Sequence, residues 1–562
     1  MNPQTETPGT GAEEAAKPAA GHVALVGAGP GDAELLTLRG AALLEQADVV
    51  LTFREPGPAL ARHRKALLDH CRPDATVVGP DEYKDRGDAF AVAQAARGLR
   101  VVRLYGGDPL LAESGAGLAE AARDAGIEFE IVPGLPAVTA VPAYAGTELM
   151  PEGVNEVRLL NAADTDVDWV GAAQSGATLV VLFPDAPSED DPEAKGPGLD
   201  RICKTLVAGG RADTTPVSVT RMGTTTQQTT VTSTLARLAA DLKAADAKGH
   251  TVARPSLLVV GEGVRRQQKL SWFETKPLFG WRVLVPRTRE QAAALSEQLR
   301  GYGAVPEEVP TISVEPPRTP QQMERAVRGL VTGRYQWVAF TSVNAVRAIR
   351  ERLEDYGLDA RAFAGVKVAA VGEQTAAALR AFGIKPDLLP PEDKQSGAGL
   401  VEVWPPYDAE IDPIERVLLP RADIATETLS QGLDKLGWEV DDVTAYRTVR
   451  AAPPPAPVRE AIKGGGFDAV LFTSSSTVRN LVGIAGKPHA TTVIAVIGPE
   501  TAKTAEEFGL RVDVQAPKPS VAVLAEALAE FGAAQRRAAV EAGKPVLRPS
   551  QKRRGRRRKT MM

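Results

Sequence analysis

Short apolar runs alternate with amphipathic stretches along most of this chain, and the alternation predicts strands followed by helices. Clear strands are predicted at 99–107, 129–134, 178–183 and 255–263, and most of them are apolar runs. Runs of this kind are typical of strands that are covered on both faces of a parallel sheet. The pattern therefore predicts an α/β fold with mainly parallel sheets.

The same pattern occurs twice in the second half of the chain. WRVLVPRT at 281–288 returns as ERVLLPRA at 415–422, YQWVAFTSVNAVRA at 335–348 as FDAVLFTSSSTVRN at 467–480, and residues 368–389 return at 494–515. A spacing of about 130 residues indicates duplicated domains, because solenoid repeats are much shorter. Small polar residues recur at the predicted strand ends, which is where open α/β sheets bind ligands.

Composition agrees with a soluble multidomain protein. The chain has 562 residues, of which 43% are hydrophobic and 24% charged, and this length predicts three or four domains. No apolar stretch is long enough to cross a bilayer. Residues 1–20 are polar and rich in Pro and Ala, so we expect a disordered leader rather than a signal peptide.

The two cysteines and the net charge argue against metal-binding, disulfide-stabilised, nucleic-acid-binding and membrane-binding proteins. Cys71 and Cys203 offer neither metal-ligand spacing nor a disulfide framework, so we expect no metal and a cytoplasmic location. A net charge of −5 gives no reason to seek nucleic acid or a membrane. The basic stretch at 551–560 could contact nucleic acid, but a solvated tail is favoured because no aromatic residue interrupts the charges.

Glycine turns follow two predicted strands of the first half. They contain Gly27, Gly29, Pro30, Gly31 and Asp32 in the first turn, and Gly106, Gly107 and Asp108 in the second. The first turn lacks the Lys-Ser/Thr pair of a phosphate-binding loop and departs from the dinucleotide fingerprint. We expect Asp32 to cap the following helix. A glycine turn by itself is equally compatible with a purely structural role.

In order, GAGPGD, VVRLYGGDP, VPG with PAYAG, PVSVTRMGTTTQQTTVTSTL and PSLLVVGEGV resemble the tetrapyrrole C-methyltransferases, especially uroporphyrinogen-III C-methyltransferase, over residues 21–265. The resemblance implies two α/β lobes with S-adenosylmethionine held between them by backbone. The resemblance also makes the residues of both glycine turns, together with Leu111, the candidate contacts of this cofactor. It also implies a possible homodimer through this domain.

The first half also departs from that family's pattern. Where the family has an aromatic-Asp segment, this chain has Thr52 and Phe53; Pro136 and Ala137 replace a Thr-Ser pair, and Phe183 replaces a methionine. Residues 111–117 replace a Phe-Gly-Arg-Gly turn. These differences indicate either a divergent subfamily or a domain that has lost turnover, since a fold outlasts its function easily.

Each copy in the second half supplies polar residues at three strand ends. The first copy has Pro286 and Arg287, then Thr341, Ser342 and Asn344, then Gly372 and Thr375; the second has Pro420 and Arg421, then Thr473, Ser474, Ser475 and Ser476, then Gly498 and Thr501. Such residues commonly cap helices. Together they would also form a cleft of amides and hydroxyls suited to carboxylates.

These motifs, with AYRTV at 445–449, resemble uroporphyrinogen-III synthase over 281–531. The resemblance implies cyclisation of the linear tetrapyrrole hydroxymethylbilane, with inversion of ring D and without a cofactor. It implies one lobe from 281–313 and 447–531, a second from 314–446, and a two-stranded hinge between them. Residues 266–280 would be a linker and 532–562 a basic tail.

Tyr446 is the candidate catalytic residue, because it is the one phenol at a synthase motif and could assist departure of the substrate hydroxyl. Its counterpart 134 positions earlier is Ile312, so the phenol has no twin. A structural role bridging the lobes is nearly as well supported. Arg421 could pair with substrate carboxylates, whereas for Arg447 we favour a surface acid.

The sequence leaves three functions open. The first is a bifunctional synthase and methyltransferase acting on linear and cyclic tetrapyrroles for corrinoid or sirohaem synthesis. The second is a synthase whose front domain only binds ligand or acts as a scaffold. The third, a periplasmic-type or regulatory tetrapyrrole-binding module, is disfavoured because we expect neither an export signal nor a DNA-binding domain from this sequence.

Overall fold

The computed structural model describes residues 21–53, 58–111, 115–164, 166–183, 198–247 and 257–552. The predicted leader and most of the basic stretch at 551–560 lie outside these ranges. The chain divides into two compact units. The first contains residues 1–281, 299–305 and 529–547, and the second contains 282–298, 306–528 and 548–562.

A parallel five-stranded sheet opens the first unit. Its strands are β1 His22–Gly27, β2 Val49–Leu51, β3 Thr76–Val78, β4 Arg100–Tyr105 and β5 Glu128–Val132, in the order β3-β2-β4-β1-β5. The helices are α1 Leu38–Gln46, α2 Pro58–Leu68, α3 Pro80–Tyr83, α4 Gly87–Ala95, α5 Gly115–Asp124 and α6 Ala137–Ala145. All four strand pairs are parallel, as the buried apolar runs predict.

The second sheet of this unit is mixed. Its strands are β6 Val157–Asn161, β7 Thr178–Leu182, β8 Pro216–Arg221, β9 Thr229–Thr234 and β10 Leu257–Val260, in the order β6-β7-β10-β8-β9, with helices α7 Trp169–Gln174, α8 Leu199–Ala208, α9 Leu238–Ala247 and α10 Gln267–Leu270. Of its strand pairs β6 and β7 are parallel and the other three antiparallel. The prediction of mainly parallel strands is therefore wrong for this sheet. An apolar run shows that a strand is covered on both faces but does not show its direction.

The duplicated half forms two further five-stranded sheets. The strands are β11 Arg282–Val285, β12 Val305–Glu308, β13 Ile312–Glu315, β14 Trp337–Phe340, β15 Lys367–Ala370, β16 Arg416–Ala422, β17 Glu439–Arg450, β18 Ala469–Phe472, β19 Val493–Val496 and β20 Val512–Gln515. The helices are α11 Arg289–Gly301, α12 Pro320–Val331, α13 Val343–Asp355, α14 Glu373–Ala381, α15 Gly397–Val403, α16 Thr428–Lys435, α17 Ala456–Gly464, α18 Ser475–Ala485, α19 Pro499–Glu507 and α20 Val521–Glu541. Helix α20 thus continues well beyond residue 531, where the basic tail was expected to follow.

Each of these sheets takes strands from both copies of the repeat. The sheet of lobe one has the order β12-β11-β18-β19-β20, and the sheet of lobe two has the order β13-β17-β16-β14-β15. The first strand of one copy, β11, therefore pairs with β18 of the other copy, and β19 follows on the far side of β18. The same exchange pairs β16 of the second copy with β14 of the first, and β15 follows on the far side of β14. The two copies complete each other instead of folding separately.

Strands β13 and β17 connect the lobes in sequence and pair with each other. Ile312 lies opposite Arg450, and Glu315 lies opposite Arg447 in an antiparallel register. The Arg447 guanidinium contacts the Glu315 carboxylate at 2.7 Å and donates to the carbonyl of Pro316. The expectation of a surface acid for Arg447 agrees with this geometry. The pair forms the two-stranded connection on which the predicted hinge motion depends.

Candidate active sites

Three glycines bring the ends of neighbouring strands into backbone contact in the first unit. Gly27 ends β1, while Gly107 and Gly134 follow β4 and β5. A Cβ on Gly134 would lie 1.9 Å from the Gly107 carbonyl oxygen, and one on Gly27 would lie 2.4 Å from Gly134 Cα. Side chains at these two positions would force the strands apart. The sequence therefore needs glycine at this junction.

Asp108 closes the same junction. Its carboxylate accepts from the backbone N–H of Leu110 at 2.9 Å and from that of Gly134 at 3.1 Å. The Leu111 N–H donates to the Asp108 carbonyl at 3.3 Å. The predicted cofactor residues Gly106, Gly107, Asp108 and Leu111 thus form one tight turn beside β1.

The turn leaves room for a ligand at Gly107. This glycine has a φ of +89°, and a Cβ there would meet nothing nearer than the Pro136 Cα at 3.9 Å. A positive φ with open space above the backbone allows close approach of a small molecule. Backbone amides and carbonyls at adjoining strand ends suit the amino-acid and ribose groups of S-adenosylmethionine, so the residues present fit the expected cofactor.

The sequence predicts that Asp32 caps the following α-helix, but in the structure Asp32 does not cap α1. Its carboxylate caps a short three-ten turn, Ala33–Leu35, by accepting from the Glu34 N–H, and it also accepts from the Tyr144 hydroxyl at 2.9 Å. Thr37 caps α1 instead, with its hydroxyl oxygen accepting from the Gly40 N–H. The extra turn moves the helix start five residues along the chain, which periodicity alone does not reveal. Gly29, Pro30 and Gly31 lie between this cap and β1.

His63 on α2 is a buried titratable residue that was not predicted from the sequence. Its side chain is 5% exposed, and within the described ranges neither ring nitrogen has a hydrogen-bond partner. Burial lowers its pKa to about 4, although the negative charge of Asp32 acts in the opposite direction. The imidazole is therefore neutral at pH 7. It stands in the charged segment ARHRK, so no apolar pattern marked it as a core residue.

The positions that depart from the methyltransferase pattern have structural partners. The Thr52 carbonyl accepts from the Tyr83 hydroxyl at 2.6 Å, and Pro136 immediately precedes α6. Phe183 packs against the core of the second sheet. Residues 54–57 and 112–114, which include the other departures, lie outside the described ranges.

In the duplicated half, the predicted hydroxyl residues gather at the carboxyl edge of each sheet. Ser342 caps α13 by accepting from the Ala345 N–H, and Ser474 caps α18 by accepting from the Thr477 N–H. Thr341 and Thr473 precede these caps. Gly372 and Gly498 precede α14 and α19, whose first turns contain the buried side chains of Thr375 and Thr501. Capping is thus an observed role of both serines.

Ser475 also holds two helices together. Its hydroxyl donates to the Glu500 carbonyl at 3.0 Å and accepts from Thr504 at 2.9 Å. Ser474 and Ser476 share a hydrogen bond of 2.8 Å. The serine cluster therefore connects α18 with α19 as well as lining the edge of the sheet.

The glycine turns of the two lobes differ in their surroundings. In lobe two the side-chain oxygen of Gln395 accepts from the Glu373 N–H at 3.2 Å and lies 2.9 Å from where a Cβ of Gly372 would be. In lobe one a Cβ on Gly498 would meet nothing within 4 Å. The equivalent edges are thus covered in one lobe and open in the other.

Tyr446 lies at the edge of lobe two with its phenol beside a helix cap. It is on β17, opposite Ala422 after a register shift in β16, and its side chain is 7% exposed. Its hydroxyl oxygen lies 3.0 Å from the Ser342 hydroxyl oxygen. Asn344 is on the first turn of α13. The structure therefore brings Tyr446, Ser342 and Asn344 to the start of one helix.

Arg421 is bound by its own lobe. Its Nε donates to the Asp442 carboxylate at 2.6 Å, and a second nitrogen contacts the other carboxylate oxygen. A third donates to the carbonyls of Ala425 and Thr426. The guanidinium thus fixes the loop after β16, beside Pro420, and its geometry offers little to a substrate carboxylate.

Within the described ranges, no helix is both long and apolar enough to cross a membrane.

Family models match both halves of the chain. The model described as tetrapyrrole (corrin/porphyrin) methylases matches residues 22–239, and the model described as uroporphyrinogen-III synthase HemD matches residues 293–526.

Relatives share one or both halves. The porphyrin biosynthesis protein HemD of Ruminiclostridium josui is 28% identical over 91% of this chain and 98% of its own. The uroporphyrinogen-III C-methyltransferase of Bacillus subtilis is 30% identical over 67% of this chain and 74% of its own. The siroheme synthase of Azotobacter vinelandii is 38% identical, but the match covers 46% of this chain and 54% of that protein.

Proposed function

We propose that this chain is bifunctional. It belongs to the tetrapyrrole methylase family and continues into a uroporphyrinogen-III synthase domain. The synthase domain closes hydroxymethylbilane to uroporphyrinogen III, and the methylase domain converts that product to precorrin-2, the precursor of corrinoids and sirohaem. The product of one domain is the substrate of the other.

The contact between Tyr446 and Ser342 is the observation that carries the synthase proposal. The Ser342 hydroxyl oxygen accepts from the Ala345 N–H at 3.2 Å. Either hydroxyl can donate in the contact between Ser342 and Tyr446, and in the proposed arrangement Ser342 is the donor. The phenol proton is then available to a ligand at the start of α13. This arrangement suits donation of a proton to a leaving hydroxyl.

Ring closure needs few groups from the protein. Hydroxymethylbilane loses its hydroxyl group as water, with the proton supplied by Tyr446, and the substrate returns a proton as the new carbon-carbon bond forms. One water is lost in total. Since the substrate also closes spontaneously to the symmetric type I isomer, the principal task is to hold the chain in the conformation that inverts ring D. The hydroxyls of Thr341 and Thr473 and the open turn at Gly498 are suited to that task.

In the methylase domain, the turns at Gly27–Asp32 and Gly106–Leu111 would hold S-adenosylmethionine, which supplies an electrophilic methyl group. Backbone groups at these turns orient the cofactor, while Gly107 permits its close approach. Asp32 and Asp108 act by fixing the turns, because their carboxylates already accept hydrogen bonds from the protein. A synthase with an inactive front domain is the second candidate, favoured by the replacements at Thr52, Pro136 and Phe183. We further propose a cytoplasmic location, on the cysteine usage of the sequence.

The test is to supply hydroxymethylbilane with and without S-adenosylmethionine and to separate the porphyrin isomers after oxidation. We expect type III isomer in excess over the spontaneous type I isomer, and a methylated product when the cofactor is added. An isomer ratio equal to that of buffer alone would refute the synthase activity. Type III product that is never methylated, even from added uroporphyrinogen III, would favour the second candidate.

A further inference from the structure

The two Pro-Arg strand ends place equivalent arginines in different electrostatic environments. Arg287 follows β11, and Arg421, which lies 134 positions later, is at the same place in β16. Arg421 contacts Asp442 and two loop carbonyls. Among the residues that the structure describes, the Arg287 guanidinium has neither a hydrogen bond nor an ion pair.

The difference arises because the acid that would pair with Arg287 is bound elsewhere. The residue 134 positions before Asp442 is Glu308, so lobe one retains a carboxylate at the equivalent position. Glu308, however, accepts a hydrogen bond of 2.7 Å from the buried Ser296 hydroxyl. In lobe two the matching serine, Ser430, donates to the Glu427 carbonyl instead, which leaves Asp442 free for its arginine.

The neighbouring acid in lobe one is also engaged. Glu307 contacts the Arg282 guanidinium at 2.7 Å. The strand that lies beside β11 thus carries two carboxylates, and both are bound by groups other than Arg287. The equivalents of Glu307 and Glu308 are Asp441 and Asp442, so the acids are present in both lobes and only their partners differ.

Arg287 is half-buried, and burial lowers the pKa of its guanidinium below the usual value. Arginine nevertheless stays charged in proteins. A partly desolvated cation without a counter-charge is costly in the free protein. An anionic ligand that paired with it would recover part of that cost, and the planar guanidinium is shaped to hold a carboxylate through two hydrogen bonds.

The position of Arg287 in the sheet agrees with a role in binding an anionic ligand. Strands β11 and β18 are parallel neighbours, with Leu284 opposite Val470. Arg287 therefore lies at the same carboxyl edge as Thr473 and the serine cluster of lobe one. The hydroxyl groups expected to contact substrate and an unpaired cation thus lie at one edge of one sheet.

We propose that Arg287, and not its repeat partner Arg421, binds a carboxylate of the tetrapyrrole substrate. This inference rests on the proposed synthase function. It makes the two lobes unequal: lobe one contributes a cation for a carboxylate side chain, while lobe two contributes the phenol of Tyr446. The tetrapyrrole carries acidic side chains on every ring, so a fixed cation in one lobe would select which ring lies there.

The test compares Arg287→Met with Arg287→Lys in the full-length protein, with hydroxymethylbilane as the substrate. We expect Arg287→Met to raise the KM roughly ten- to hundredfold, the range given by loss of a charged hydrogen-bonded pair. Arg287→Lys should restore part of the affinity, since lysine keeps the charge but not the two-pronged geometry. The KM of the wild-type protein should also rise more steeply with salt than that of Arg287→Met.

Arg328→Met is the matched control. Arg328 is exposed near the end of α12, which leads into the amino end of β14 and thus away from the carboxyl edge. The KM of the Arg328→Met variant for hydroxymethylbilane should remain that of the wild type.

A wild-type KM in Arg287→Met, or Met and Lys variants with the same raised KM, would overturn the proposal. These outcomes are separate from failure of the proposed function, in which the wild-type protein itself forms no excess of type III isomer.

Discussion

The phenol oxygen of Tyr446 lies 3.0 Å from the hydroxyl oxygen of Ser342, and this contact has no equivalent in the other lobe. The residue equivalent to Tyr446 is Ile312. The serine equivalent to Ser342 is Ser474, which shares its hydrogen bond with Ser476. The repeat thus produces two similar sheet edges, and a single side chain distinguishes the one that can donate a phenolic proton.

Replacing Tyr446 by Phe should lower the kcat of ring closure by roughly a hundredfold, at the lower end of the range for a lost general acid. The lower end is expected because the substrate hydroxyl also leaves spontaneously. The measurement is the rate of type III formation after subtraction of the type I background.

Tyr335→Phe is the matched control for that change. Tyr335 is also buried and donates to Asp441 at 2.5 Å, but it precedes β14 and so lies at the opposite edge of the sheet. Its kcat should stay close to that of the wild type. An unchanged kcat in Tyr446→Phe would show that Tyr446 is structural only.

Replacing Arg421 by Met should destabilise lobe two by about 2–3 kcal/mol, because Asp442 and two loop carbonyls lose a charged partner. Arg287→Met should cause no such loss, since its guanidinium has no partner among the described residues. Urea unfolding of both variants checks the difference. Equal destabilisation would mean that the two arginines have similar roles in the fold.

His63 should make the stability of the first unit depend on pH. Its pKa is about 4 when folded and 6.5 when unfolded, so the unfolded state binds more protons between these values. Protonation of His63 therefore has no effect on the free energy of unfolding above pH 6.5 and lowers it progressively as the pH falls towards 4. The loss at pH 5 should be about 2 kcal/mol.

Calorimetry of the wild type and His63→Leu at pH 7.5 and 5.0 measures this contribution. The variant should lose less stability than the wild type between these pH values. His70, which is exposed two turns further along the chain, is the control, and His70→Leu should keep the wild-type dependence. If His63→Leu kept it as well, the buried imidazole would not be responsible.

Replacing Gly134 by Ala should abolish binding of S-adenosylmethionine, because a Cβ would lie 1.9 Å from the Gly107 carbonyl oxygen and separate the strand ends. Isothermal titration with the cofactor measures the loss. Gly176→Ala is the control, since a Cβ there meets nothing within 4 Å. Wild-type affinity in Gly134→Ala would show that the cofactor binds away from this junction.

Much of the fold follows from local sequence. The buried runs of β1, β4 and β11 are apolar enough to predict strands without any knowledge of their partners. Glycine turns and hydroxyl residues at the strand ends mark the candidate sites, because parallel strands place their carboxyl ends at one edge. The repeat itself is visible in the letters, as is the absence of a twin for Tyr446.

What the sequence left undecided depends on contacts between distant residues. The apolar runs of β7 and β10 could not show that these strands are antiparallel. Arg287 and Arg421 occupy identical motifs, yet Glu308 turns to Ser296 while Asp442 turns to Arg421. His63 stands in a charged segment and is nevertheless buried. The sequence determined which elements form and where polar groups occur along the chain; only tertiary packing decided which partners those groups find, because partner choice depends on side chains that are neighbours in space and not in sequence.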